Sequence, residues 1–116
     1  MSNNPYFVTP AQAGQNPLSF GGFRRTMGTT DHMMLLEIYL PRETVVPLHQ
    51  HIHDQVGYIV HGRFELTVDG STQILNPGDS YAVPGNMPHS GRAVVDTVLV
   101  EIFSPPREEF RDPVAE

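Results

Sequence analysis

Four of the six histidines fall between His49 and His61, most of them in Pro47-Leu48-His49-Gln50-His51-Ile52-His53-Asp54-Gln55. His49 and His51 are two apart on a predicted strand, so their side chains leave the same face, with Cα atoms roughly 7 Å apart. Two imidazoles so placed can converge on one ion. His89 follows forty residues later, in Pro84-Gly85-Asn86-Met87-Pro88-His89, which reads as a rigid turn after a strand. Three neutral imidazoles and an oxygen donor are a usual set for one divalent transition metal ion (Fe, Mn, Ni, Co or Zn) in a protein without thiols. A His-x-His pair alone suits an exposed loop equally well. His53, in the connection to Gln55, is expected to face solvent. His61 is read as starting the turn before Gly62, although its strand parity with Gln55 and Ile59 also suits a cavity mouth. His32 sits at a strand start with no evident partner.

These residues need a scaffold, and the composition points to strands. The chain has 116 residues with 10 Gly and 11 Pro, too frequent a punctuation for long helices. Short β-rich runs recur: Phe20–Met27, Met33–Leu40, Thr44–His49, Val56–Val60, Arg63–Val68, Thr72–Leu75, Ser80–Val83, Gly91–Val94 and Thr97–Phe103. Asp69-Gly70, Asn76-Pro77-Gly78 and Pro84-Gly85-Asn86 separate them as turns. With no helical pattern between the runs, the expectation is an all-β sandwich or barrel. Residues 1–17 read as an arm with at most one short strand, Tyr6–Thr9. Residues 18–104 read as the barrel and 105–116 as a C-terminal segment. There, Ser104-Pro105-Pro106-Arg107-Glu108-Glu109-Phe110 predicts a short helical turn capped by Ser104.

Absences narrow the chemistry. With no cysteine, thiolate nucleophiles and Cys-type zinc sites are excluded. All seven cations are arginine, so no side-chain Schiff base can form. The net charge of −6 argues against nucleic acid. No apolar run reaches the ~20 residues of a membrane span, and Met1-Ser-Asn-Asn-Pro lacks signal-peptide features. A cytoplasmic protein is expected.

The segment from Pro47 reads Pro-x-His-x-His, three residues, Gln55, six residues, Gly62. The segment from Gly78 reads Gly, five residues, Pro84, then Asn86-Met87-Pro88-His89. In order and spacing they resemble the paired motifs of the cupins, over about residues 20–103. That resemblance implies a single cupin-type β-barrel (a double-stranded β-helix, or jelly roll) holding one metal ion on His49, His51, Gln55 and His89. Glu43 and Asn86 stand at positions where the motifs usually have glycine, Ala93 where the second ends in Asn, and Gln55 where the first has Glu. A neutral amide in place of a carboxylate leaves the site one charge more positive, weakening metal affinity and favouring an anionic substrate. The competing reading of Gln55 is a metal-free pocket.

The ending Glu101-Ile102-Phe103-Ser104-Pro105-Pro106-Arg107-Glu108-Glu109-Phe110 is similar to the tail of the pectin-degradation cupins, which open cyclic 4,5-unsaturated uronates from pectin or alginate into linear keto sugars. The resemblance implies catalytic roles for Glu101, Phe103 and Arg107, with Glu101 at a position usually filled by aspartate. Residues 101 and 103 share a strand face, so both can point inward. A carboxyl can carry the protons of ring opening, and an Arg fork can hold a substrate carboxylate. The plainer alternatives are a core Phe103 and an Arg107 paired with Glu108 or another nearby acid. Another metal-dependent cupin oxidase or dioxygenase, or a non-enzymatic small-molecule-binding cupin, remains open. The apolar row Val56, Tyr58, Val60 leads to the expectation of a homodimer, with Tyr6–Thr9 or Phe20–Met27 against the partner.

Overall fold

Met34-Leu35-Leu36-Glu37-Ile38-Tyr39-Leu40 shows the period of the whole fold: the first, third, fifth and seventh residues are buried and those between are half-buried. Strand geometry sends alternate side chains to opposite faces, so an apolar residue at every second position makes one core-facing row. The computed structural model describes residues 6–112. The opening Met1–Pro5, where no signal peptide is expected, lies outside them, as do the last four residues.

The strands in chain order are β1 (Asn16–Pro17), β2 (Phe23–Thr29), β3 (Met34–Leu40), β4 (Val45–His49), β5 (Asp54–His61), β6 (Phe64–Val68), β7 (Ser71–Leu75), β8 (Ser80–Val83), β9 (His89–Ala93) and β10 (Thr97–Ser104). They form two antiparallel sheets, ordered β1-β2-β3-β10-β5-β8 and β4-β9-β6-β7. The strand-built fold expected from the spacing is what forms, and its two sheets agree with the jelly roll that the cupin resemblance implies. Its core lies between the sheets and includes Met34, Leu36, Ile38, Leu40, Ile59, Phe64, Leu66, Leu99 and Phe103. No helix among the described residues is long and apolar enough to cross a membrane.

The Asp69-Gly70 hairpin forms between β6 and β7, with both residues at positive φ (50° and 81°), as a two-residue turn of matching twist requires. Two local expectations fail. Tyr6–Thr9 is not a strand; Thr9 instead caps a short helix, α1 (Pro10–Ala13). The Thr9 hydroxyl accepts from the Gln12 amide at 3.3 Å, and the Gln12 side chain accepts from the Thr9 amide at 2.9 Å. Proline after the cap is already set for the first helical turn, so this reciprocal pair wins over extension. Near the other end a 3₁₀ turn does form, at Glu108–Phe110, but Ser104 does not cap it. Ser104 closes β10 and donates to the His32 carbonyl at 2.8 Å.

The C-terminal segment is tied down on β2. Buried Arg24 pairs with Asp112 at 2.6 Å, and the Thr26 hydroxyl donates to the Phe110 carbonyl at 2.6 Å. Arg107, just before the turn, is thereby brought to the mouth of the fold.

Candidate metal centre

β4 and β9 pair with His49 opposite His89, so the two imidazoles meet across the ladder with ring centres 4.2 Å apart. His89 opens a strand instead of sitting in a turn, because it pairs on its other side with Val68 of β6. His51 lies beyond the end of β4, in a segment pinned from the opposite side. Its carbonyl accepts from the Asn86 amide at 2.6 Å, and the Asp54 carboxylate accepts from the Gly85 amide at 2.8 Å. Those two bonds tie the residues around His51 to the turn that leads into His89.

The ring contacts assign the tautomers. Nδ1 of His49 lies 2.7 Å from the Pro47 carbonyl, and Nδ1 of His89 lies 2.8 Å from the Met87 carbonyl. A carbonyl only accepts, so each Nδ1 carries the hydrogen and each Nε2 keeps a free lone pair. Nε2 of His89 and both nitrogens of His51 are buried without a partner. One nitrogen from each of His49, His51 and His89 falls within 4.8 Å of the others, so this trio could hold one metal ion. Burial, and then the charge of Arg107, lowers the His51 pKa to about 4; burial also lowers that of His89. Neutral imidazole is the form that binds metal.

Gln55 is buried on β5 and lines the same cavity as His49 and His89. Its Nε2 donates to Oε2 of Glu101 at 2.5 Å, and its Oε1 is buried with no partner. Orphaned buried polar atoms are rare in folded proteins. Here they comprise imidazole nitrogens and an amide oxygen at one place, which is the donor chemistry of a divalent ion. Glu101 also accepts from the Tyr81 hydroxyl. Burial pushes the Glu101 carboxyl above its ordinary value, partly offset by these two donors and by Arg107. Burial and the Glu101 charge push the Tyr81 phenol well above 10.

Phe103 is both core and site wall: it belongs to the hydrophobic cluster and presents its ring 5.8 Å from His51. The Arg107 guanidinium is sandwiched between Phe103 at 5.1 Å and Phe110 at 4.6 Å. Its Nε and Nη2 both donate to Glu109, at 3.1 and 2.9 Å, while Glu108 pairs with Arg111. The expected competing acid therefore exists, one residue further along. A cavity of about 480 Å³ opens onto His49, Gln55, His89, Glu101 and Arg107, with Leu36, Ile38 and Leu66 among its apolar lining.

A cupin-domain family model matches residues 35–104. The chain belongs to the cupin family. This cupin is 32% identical over 89 residues to the pectin degradation protein KdgF of Dickeya dadantii (strain 3937), spanning 75% of this chain and 81% of that protein. It is 31% identical over 98 residues to H2HPP isomerase of Bacillus subtilis, spanning 84% of this chain and 40% of that longer protein. Among solved structures it resembles an RmlC-like cupin from Shewanella frigidimarina NCIMB 400, with a TM-score of 0.88 and 31% identity over 96% of this chain and all of that one. KdgF from Halomonas sp. superposes with a TM-score of 0.85 and 29% identity, over 94% of this chain and all of that one.

The motif departures in this cupin have local explanations. Glu43 (φ 69°) and Asn86 (φ 66°) hold the left-handed backbone that glycine otherwise supplies. Asn tolerates that conformation readily. Glu43 is held there by the hydrogen bond its backbone N–H donates to the Ala93 carbonyl and by its ion pair with Arg92. His53 departs from the sequence reading. It is half-buried, its ring lies 5.2 Å from His51, and its Nδ1 is buried without a partner. His61 and His32 are exposed. Sequence reasoning also missed Tyr81 and Glu109. The signal for Tyr81 is Gly57, a glycine in mid-strand, which marks close approach of another group.

Proposed function

We propose that this cupin is a metal-dependent isomerase that opens small cyclic 4,5-unsaturated uronates, from pectin or alginate breakdown, into linear keto sugars. The observation that carries this reading is one cavity that gathers imidazole donors, Gln55, a buried carboxyl and an arginine. The relationship to a pectin degradation protein and to an isomerase supports it.

A divalent ion held by His49, His51, His89 and Gln55 would place positive charge against the substrate's carboxylate and ring oxygens. Arg107 grips that carboxylate through its planar fork, with Phe103 and Phe110 fixing the guanidinium plane. Opening the ring breaks the bond between the hemiacetal carbon and the ring oxygen. The hydroxyl proton leaves as one carbonyl forms, and a proton arrives at the enol carbon as the other forms. No atom is gained or lost, so one group that takes and returns a proton suffices. Glu101 is the carboxyl in position for it, and burial raises its proton affinity above that of an exposed carboxyl. The same reading takes the chain as a cytoplasmic homodimer, with residues 18–104 forming the barrel between an arm (1–17) and a C-terminal segment (105–116).

The test is the ultraviolet absorbance of a 4,5-unsaturated uronate, which disappears as the conjugated double bond is lost. The metal-loaded protein is expected to speed that loss without consuming oxygen. Oxygen uptake coupled to turnover would place the chemistry among the oxidases; an unchanged spontaneous rate would remove the uronate reading.

A further inference from the structure

Glu101, Gly57 and Tyr81 lie on one register line across β10, β5 and β8. Gly57 has no side chain, and a Cβ there would stand 2.1 Å from the Tyr81 ring. The ring therefore occupies the space over the glycine, and its hydroxyl reaches Oε2 of Glu101. Gln55, two residues earlier on the same face of β5, donates its Nε2 to that same oxygen at 2.5 Å.

A glutamate ligand is symmetric: either oxygen can face an ion. A glutamine is not, because its nitrogen end donates and has no lone pair to offer. A chain with Gln55 in this place must therefore also decide which way the amide points. A carboxylate only accepts, so Glu101 selects the nitrogen end and leaves Oε1 unpartnered in a cavity wall shared with His49 and His89. Tyr81 donates to the same Oε2 and so fixes where that acceptor stands. We infer that Glu101 and Tyr81 are positioning residues for Gln55, holding its amide with the oxygen toward the metal ion. This rests on the reading of His49, His51, His89 and Gln55 as the metal donors.

The experiment is a titration of the metal-stripped full chain with Co²⁺, read by its visible absorption bands and by competition with a chelator. Glu101→Leu is expected to weaken Co²⁺ binding by about 10–100-fold and shift the bands, the usual cost of losing a partner that orients a ligand. Glu101→Gln offers an amide oxygen as acceptor in the same place, so it should keep near-parental affinity and bands even though its turnover falls. Tyr81→Phe should weaken binding in the same direction as Glu101→Leu, and it carries the test if the leucine variant does not fold. In a Gln55→Ala background neither substitution should weaken Co²⁺ binding further, since residues that act through one another are not additive. Parental affinity and bands in folded Glu101→Leu, or full additivity with Gln55→Ala, overturns the inference. If Gln55→Ala itself binds Co²⁺ as the parent does, the inference fails while the histidine site stands. If the parent takes up no Co²⁺, the metal reading fails and the inference with it.

Discussion

Arg107 shows how one side chain is prepared and also restrained. Two aromatic faces hold its guanidinium, and Glu109 occupies two of its donors. Glu109 is 55% exposed, and an ion pair so open to water is worth about 1 kcal/mol or less. A substrate carboxylate can displace it. Glu109→Gln is therefore expected to lower KM for an unsaturated uronate with little change in kcat, whereas Arg107→Ala raises KM; steady-state kinetics reads both. A raised KM in Glu109→Gln would mean that Glu109 places the arginine for substrate instead of competing for it. The imidazoles make a pH prediction for the metal-free protein. His51 is lowered to about 4 from an ordinary 6.5, so between those values the unfolded chain binds a proton that the folded chain refuses. His89 is lowered too and acts in the same direction. Their contribution is present in full above 6.5 and is lost as pH falls toward 4. Glu101, raised by burial, opposes this: its contribution is lost as pH rises through its elevated pKa. Urea midpoints across pH 4–7, in parent and in His51→Ala, separate the two, and the acid-side slope should flatten in the variant.

At the scale of elements, β5 carries the site by alternation. Gln55, Gly57 and Ile59 face inward, while Val56, Tyr58 and Val60 face out. Gly57 is the tightest of these positions, because any added atom enters the Tyr81 ring. Gly57→Ala is expected to cost about 1–3 kcal/mol as an overpacked core site, read as a lower urea midpoint. A neutral result would mean the Tyr81 ring has room to move aside. The same logic explains Gly91 on β9, where a Cβ would stand 2.2 Å from the Phe64 ring. Two glycines in mid-strand thus let aromatic side chains lie across the sheets.

For the whole molecule, the outward row of β5 continues onto its neighbour. Ile102 pairs with Val56, and Val100 with Tyr58. Val56, Tyr58, Val60 and Ile102 are 46%, 48%, 49% and 40% exposed. An apolar patch on the outer face of the six-stranded sheet suits a second copy related by a twofold axis. Light scattering at high micromolar concentration is expected to give a dimer, and Tyr58→Glu a monomer. A monomeric parent protein would remove this expectation.

Strand content, the Asp69-Gly70 hairpin and the paired His motifs were legible in the chain, because period-two alternation, turn residues and ligand spacing are local properties. The pairing of His49 with His51 was legible only as a spacing: the strand expected to carry both ends at His49, and a bond from the Asn86 amide to the His51 carbonyl holds the second imidazole in place. The α1 cap was legible as well, in Thr9-Pro10-Ala11-Gln12, but the surrounding prolines masked it as an extended arm. What no local pattern holds is the register between strands distant in sequence. That register alone sets His49 opposite His89 across forty residues, and brings Glu101 to Tyr81 over the gap left by Gly57. The tertiary fold also turned His53 toward His51 and gave Arg107 its aromatic walls and its rival acid. Sequence determined which residues could do chemistry, because donor type and spacing belong to the chain. Tertiary structure decided which of them meet and which atoms they leave free, because hydrogen-bond partners are assigned only when the sheets close over the core.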